Sequence, residues 1–254
     1  MNTIVLHIEA ADSEVGKRRE ELARNVRSYF LVDLPTPAEK RTICYLDNQD
    51  RAWLKQLWGG ESNRGVHWPI RGQGLCDWPQ DMWNTIAPVD ELSGKISWPY
   101  DSVIYLHGST CANEVQLAMT LAHELQHFCQ YGNHPQLWAL NFLLSKLPYL
   151  PTNELKHWYH LPVEREARII AKRITESIFG KEVVAEHVKK MERMGTSFED
   201  IADWMFIDSL DSGETYDLKA ATACLVGRHR PGLEELQRGV FAEDSDFGVV
   251  NLNI

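Results

Sequence analysis

The chain opens on a short apolar run, Ile4 to Ile8, of strand length. From Ser13 to Phe30 the pattern changes, and Leu22, Val26 and Phe30 recur at helical spacing. Pro35 and Pro37 close that helix, and Thr42 to Leu46 reads as a second strand. Trp53 to Trp98 has no clear period and is punctuated by Gly and Pro, so it reads as long loops with short strands inside. Ser102 to His107 is a third strand candidate.

The segment that follows is the best-delimited helix in the chain. Asn113 suits the N-cap, with Gln116 three residues later to complete a capping box, and Gly132 and Pro135 read as its stop. Val115, Ala118, Ala122, Leu125 and Cys129 form one apolar stripe, which Met119, Leu121 and Phe128 widen. Further helices are predicted over Leu137–Leu147 and over Pro162–Phe179, the latter with Pro at its first position and Gly180 as its end. Lys181–Met194, Phe198–Leu210 and Leu218–Val226 complete a mainly helical remainder. The fold class expected is α+β: a core over 1–180 and a helical C-terminal extension over 181–254.

Composition narrows the function classes. The 44% hydrophobic content excludes disorder, and five scattered cysteines exclude a disulfide scaffold. A net charge of −10 with no basic stripe argues against a nucleic-acid partner. The first ten residues lack a basic start, and the stretch Leu137–Leu150 is too short and too interrupted to span a bilayer, so a cytoplasmic protein without a membrane partner is expected.

Chemistry concentrates in His123-Glu124-Leu125-Gln126-His127, an HExxH motif inside the capped helix. Chance would produce it about 0.03 times in a chain with this His and Glu content. Four residues is just over one turn, so the imidazoles lie about 40° apart around the axis and roughly 6 Å apart along it. Both can therefore bind one Zn²⁺, while Glu124 is rotated away to address a water. Two histidines on a mostly apolar helix would be costly without a partner. A third ligand must come from elsewhere, and LPVEREARIIA offers Glu164 and Glu166. Glu164 shares a face with Ala167 and Ala171 beside the apolar stripe, whereas Glu166 aligns with Arg173 towards solvent, which favours Glu164.

His123-Glu124-x-x-His127 with Glu164-x-x-Ala167 resembles the gluzincin metallopeptidases, and the E-x-E-A pattern after a Pro is similar to their minimal, ImmA/IrrE-type members. The resemblance covers about Val103 to Ala171. Some of these families carry Asp after that Ala, where this chain has Arg168. The resemblance implies a zincin-like core with a small twisted mixed sheet packed on the HExxH helix, and an edge strand along the active-site cleft. Val103–Leu106 is placed to be that strand or a plain core strand.

The reaction implied is hydrolysis of a peptide or protein amide bond, with zinc as cofactor and Glu124 as general base. Tyr159 and His160 are the leading candidates to stabilise the oxyanion, with His157 and His229 behind them. Two alternatives stand beside this: a regulatory, protein-binding module with a structural or degenerate zinc site, and a zinc amidase acting on a small acylated substrate. Cys76 reads as a small buried thiol, and Arg71–Gly74 has too few glycines for a phosphate loop. The Trp-rich segment reads as loop-covered packing more readily than as an aromatic pocket.

Overall fold

The computed structural model describes residues 3–9, 12–48, 64–69, 100–145, 147, 160–195, 197–239 and 252. Among them the protein is mixed α+β and mostly helical, with one small mixed sheet of four strands. In chain order the elements are β1 (Ile4–Ile8), α1 (Glu14–Val32), β2 (Thr42–Leu46), β3 (Gly65–Pro69) and β4 (Ser102–Leu106). A single turn, α2 (Gly108–Cys111), leads into α3 (Glu114–Asn133) and α4 (Pro135–Ser145). The remaining helices are α5 (Pro162–Phe179), α6 (Lys181–Met194), α7 (Phe198–Ser209) and α8 (Leu218–Gly239). The chain forms two compact units, Met1–Phe128 and Cys129–Ile254, and the division falls inside α3, which is one continuous helix.

In the first unit the strand order is β1-β2-β4-β3. β1, β2 and β4 are parallel, with Ile4, Thr42 and Ser102 in register, and β3 runs antiparallel to β4 with Gly65 opposite Leu106. β2 and β4 are buried along their whole length, which is why they read as unbroken apolar runs instead of alternating ones. β4 lies between β2 and β3, so Val103–Leu106 is a core strand and the edge-strand reading is corrected. An unbroken apolar run reports burial on both faces and cannot say which strands flank it. Among the described residues the outer position is taken by β3, a short strand inside the Trp-rich segment; most of that segment, with Cys76 and Arg71–Gly74, lies outside the described residues.

β3 is brought close to α3 by its first residue. A Cβ on Gly65 would stand 2.9 Å from Thr120 Cγ2 and 3.1 Å from the Tyr105 carbonyl oxygen, so this approach requires glycine. Two residues on, and therefore on the same strand face, His67 meets the Phe128 ring edge-on at 6.3 Å. α3 itself starts as the sequence predicts, with Asn113 Oδ1 accepting from the Gln116 N–H at 2.9 Å. The second arm of the capping box is replaced: the Asn113 N–H donates to the Thr110 carbonyl, and Gln116 Nε2 donates to Thr120 Oγ1 at 3.0 Å. Gly132 lies within the helix, which runs on to Asn133. The break is supplied by Pro135, which opens α4, and no left-handed glycine is needed there.

In the second unit, Leu137, Leu140 and Leu144 of α4 pack with Val163 and with Leu218, Val226 and Leu233 of α8. Buried Asn141 crosslinks these helices: its Nδ2 donates to Leu137 O at 2.9 Å and Thr222 Oγ1 at 3.0 Å, and its Oδ1 accepts from the Val163 N–H at 3.4 Å. α5 begins at Pro162 and ends at Gly180, whose φ of +88° is the left-handed turn that glycine permits. α8 extends past the predicted end at Val226, through Gly227 and Pro231, because Leu233 and Leu236 still pack on the same core and outweigh the two breakers. Among the described residues no helix is long and apolar enough to cross a membrane.

The cysteines give a direct check on this burial. Cys44 of β2 is fully buried, and burial pushes its thiol well above the usual range, whereas Cys224 is exposed. Only a thiolate within reach of reagent reacts. Brief iodoacetamide treatment of the native protein at mildly alkaline pH is expected to alkylate Cys224 and spare Cys44, read by peptide mass spectrometry. Equal labelling of the two would put β2 outside the core.

Candidate metal centre

α3 is apolar over most of its circumference: Leu117, Ala118, Leu121, Ala122, Leu125 and Phe128 are all buried. His123, Glu124 and His127 therefore project from a helix with little freedom to move. His127 and Glu124 are buried and His123 is half-buried. The two imidazoles meet edge to face, 4.5 Å between centroids at 85°, with their Nε2 atoms 3.0 Å apart. Two ring nitrogens that converge in this way share either a proton or a cation. A tetrahedral zinc with bonds of about 2.0–2.1 Å would hold its ligand atoms ~3.3 Å apart, close to the spacing found.

The third group comes from the first turn of α5. One ligand atom each from His123, His127 and Glu164 lie within 4.8 Å of one another. The juxtaposition is built by α3 itself, whose last turns dock on α5 through Gln130. The Gln130 Nε2 donates to the Val163 carbonyl at 2.9 Å and to Glu166 Oε2 at 2.8 Å. Pro162 fixes the start of α5 one residue before Val163, so the position of Glu164 follows from that of Gln130. Glu166, the other carboxylate offered by the sequence, receives the Gln130 bond instead of joining the histidines.

Arg168 stands one turn beyond Glu164 on α5, with only 4% of its surface exposed. Its Nη1 donates to Glu164 Oε2 at 2.8 Å, and its Nε and Nη2 both reach Asp203 Oδ1 of α7, at 2.9 and 2.8 Å. Burial works against the guanidinium charge, but Asp203 and Glu164 more than compensate, so its pKa is raised. A second neighbour is His67 of β3, whose pKa is held well below the usual imidazole range, first by burial and then by His127. A neutral His67 adds no positive charge beside a cation site.

Of the other nominated residues, His160 packs edge-on against Phe206 of α7 at 5.1 Å, and Tyr159 and His157 lie outside the described residues. His229 is carried by α8. Gln130, Asp203 and His67 escape sequence reading because they act on residues of other elements: Gln130 on Val163 and Glu166, Asp203 on Arg168, and His67 beside His127. Arg168 did carry a signal, as the residue standing where some gluzincins have Asp, but its partner Asp203 lies 35 positions away.

The set of two imidazoles and one carboxylate fits zinc with a position left open for water. Protein purified without added metal is expected to carry about one equivalent of zinc, lost in a His123→Ala/His127→Ala variant. Glu164→Ala should weaken zinc binding by on the order of 10²-fold or more, and Glu166→Ala by far less. Metal analysis and chelator competition read both, and the reverse order would reassign the third ligand.

No family model, no curated protein and no solved structure matches this chain.

Proposed function

We propose that this protein is a zinc-dependent peptidase of the gluzincin type, built on a zincin-like core. The observation that carries the reading is the convergence of His123, His127 and Glu164, with the carboxylate of Glu124 buried on the same helix as the two imidazoles. His123, His127 and Glu164 would hold the zinc. When bound, zinc supplies Lewis acidity to a substrate carbonyl and lowers the pKa of a water molecule. Glu124 is the base that takes the proton of the attacking water and returns one to the leaving nitrogen. Its place between two ligands on a rigid, buried helix limits the reorganisation that this transfer needs. Tyr159 and His160, five and four residues before Glu164, remain the nominated donors to the oxygen that gains charge.

Two features favour a peptide substrate over a small amide. β3 is the outer strand of the described sheet and runs beside α3, and an extended chain can add to such a strand by backbone hydrogen bonding. On α4 and the start of α5, a cavity of about 240 Å³ is lined mainly by Trp138, Phe142, Leu161 and Val163, with Asn141, Ser145 and Glu164 as its polar members. It is smaller than pockets that enclose a whole drug-sized ligand, roughly 300–1,000 Å³, and is of a size for one apolar side chain. Because Glu164 stands on its wall, a side chain seated there would lie next to the scissile bond in this reading.

The test is cleavage of a peptide library in which one position beside the scissile bond is varied. Leu and Phe are expected to be preferred over Asp and Ala, and Glu124→Gln should lower kcat by about 10²–10⁴-fold while zinc content stays the same. Cleavage that survives Glu124→Gln would rule out the mechanism and leave a zinc-bearing binding module as the better reading.

A further inference from the structure

We infer that Asp203 and Arg168 are positioning residues for Glu164, so that helix α7 is part of the metal centre and not an appendage to it; the inference rests on the zinc reading above. Arg168 holds Glu164 twice, through Oε2 at 2.8 Å and through its backbone carbonyl at 3.1 Å. With one carboxylate oxygen engaged by the guanidinium, a cation bound to Glu164 in one-point fashion would be held without losing that contact. A single oxygen completing two imidazoles suits a four-coordinate zinc, whereas calcium draws on six to eight oxygens.

The charge arrangement supports the same conclusion. A guanidinium in contact with a metal ligand would by itself repel the metal. Asp203 closes on the far side of that guanidinium through Nε and Nη2, so the pair sums to zero and Glu164 contributes its full negative charge. Taking a charged pair this far out of water is not a route to stability, because well-packed apolar residues commonly do as well. Its contact with a metal ligand gives it a purpose that stability does not.

Asp203 is itself held firmly. The neighbouring Trp204 is fully buried and lies edge-on to His187 of α6 at 5.9 Å. At the C-terminal end of α7, Lys172 of α5 donates from Nζ to the carbonyls of Ile207, Asp208 and Leu210 at 3.1, 3.1 and 2.7 Å. α7 is thus fastened to α5 at its middle and at its end. Whatever zinc gains from a correctly held Glu164 must return as tighter docking of α7, since linkage between two equilibria is reciprocal.

The experiment measures zinc affinity of the full chain by competition with a chromophoric chelator, in the wild type, in Asp203→Asn, in Asp203→Glu and in the double variant Arg168→Met/Asp203→Leu. Metal-free melting by circular dichroism confirms that each is folded. The double variant replaces the pair with apolar groups of similar size and is expected to fold, yet to bind zinc about 10–100-fold more weakly. Asp203→Asn should also weaken binding, and Asp203→Glu should recover part of the loss. In the wild type, zinc should slow amide hydrogen exchange across 198–209. A folded double variant with wild-type zinc affinity would overturn the inference, as would unchanged exchange across α7 on adding zinc. Failure of the wild type to bind zinc would overturn the zinc reading itself, and with it this role for the pair.

Discussion

Two imidazole nitrogens held 3.0 Å apart on a buried helix are the constraint around which the rest of the site is organised. The four-residue spacing fixes them on one face, and the apolar packing of α3 leaves the helix no latitude to separate them. Each Nε2 is a donor or an acceptor according to tautomer, so two that converge this closely share either a proton or a cation. A carboxylate with a ligand atom within 4.8 Å of theirs completes a group of three that could hold a metal ion, the site proposed above for zinc. The neutral state of buried His67 keeps further positive charge away.

The carboxylate is delivered by ordinary helix physics. Pro162 sets the first turn of α5, Asn141 accepts from the otherwise unsatisfied Val163 N–H, and Gln130 ties the carbonyl of the same residue to α3. Glu164 follows directly in the chain. Its neighbour Glu166 is drawn off by Gln130, and its own second oxygen is steadied by Arg168. The site therefore stands on two helices whose termini are fixed by buried amides, the rigid support that a preorganised centre requires.

Much of this was legible in the sequence because it is local. The strands Ile4–Ile8 and Thr42–Leu46, the helix from Pro162 to Phe179, the HExxH face and the preference for Glu164 all follow from spacing over a few turns. What was not legible depends on distant partners. Whether Val103–Leu106 lay at an edge was decided by β3, which comes from a segment without a readable period. Gly132 looked like a helix stop and is not one, since Pro135 already ends the helix. The Arg168–Asp203 pair joins α5 to α7 across 35 positions, and no periodicity within either helix predicts it. Propensity was outweighed at α8, where packing of Leu233 carries the helix past Gly227 and Pro231.

The central claim is the ligand set, and X-ray absorption at the zinc edge of the metal-loaded protein tests it most directly. The account predicts a low-coordinate zinc with two imidazole nitrogens and one or two oxygens at about 2.0–2.1 Å, with the imidazole scattering lost in His123→Ala/His127→Ala. A zinc–sulfur shell near ~2.3 Å, or an all-oxygen hydrated ion without imidazole scattering, would contradict it.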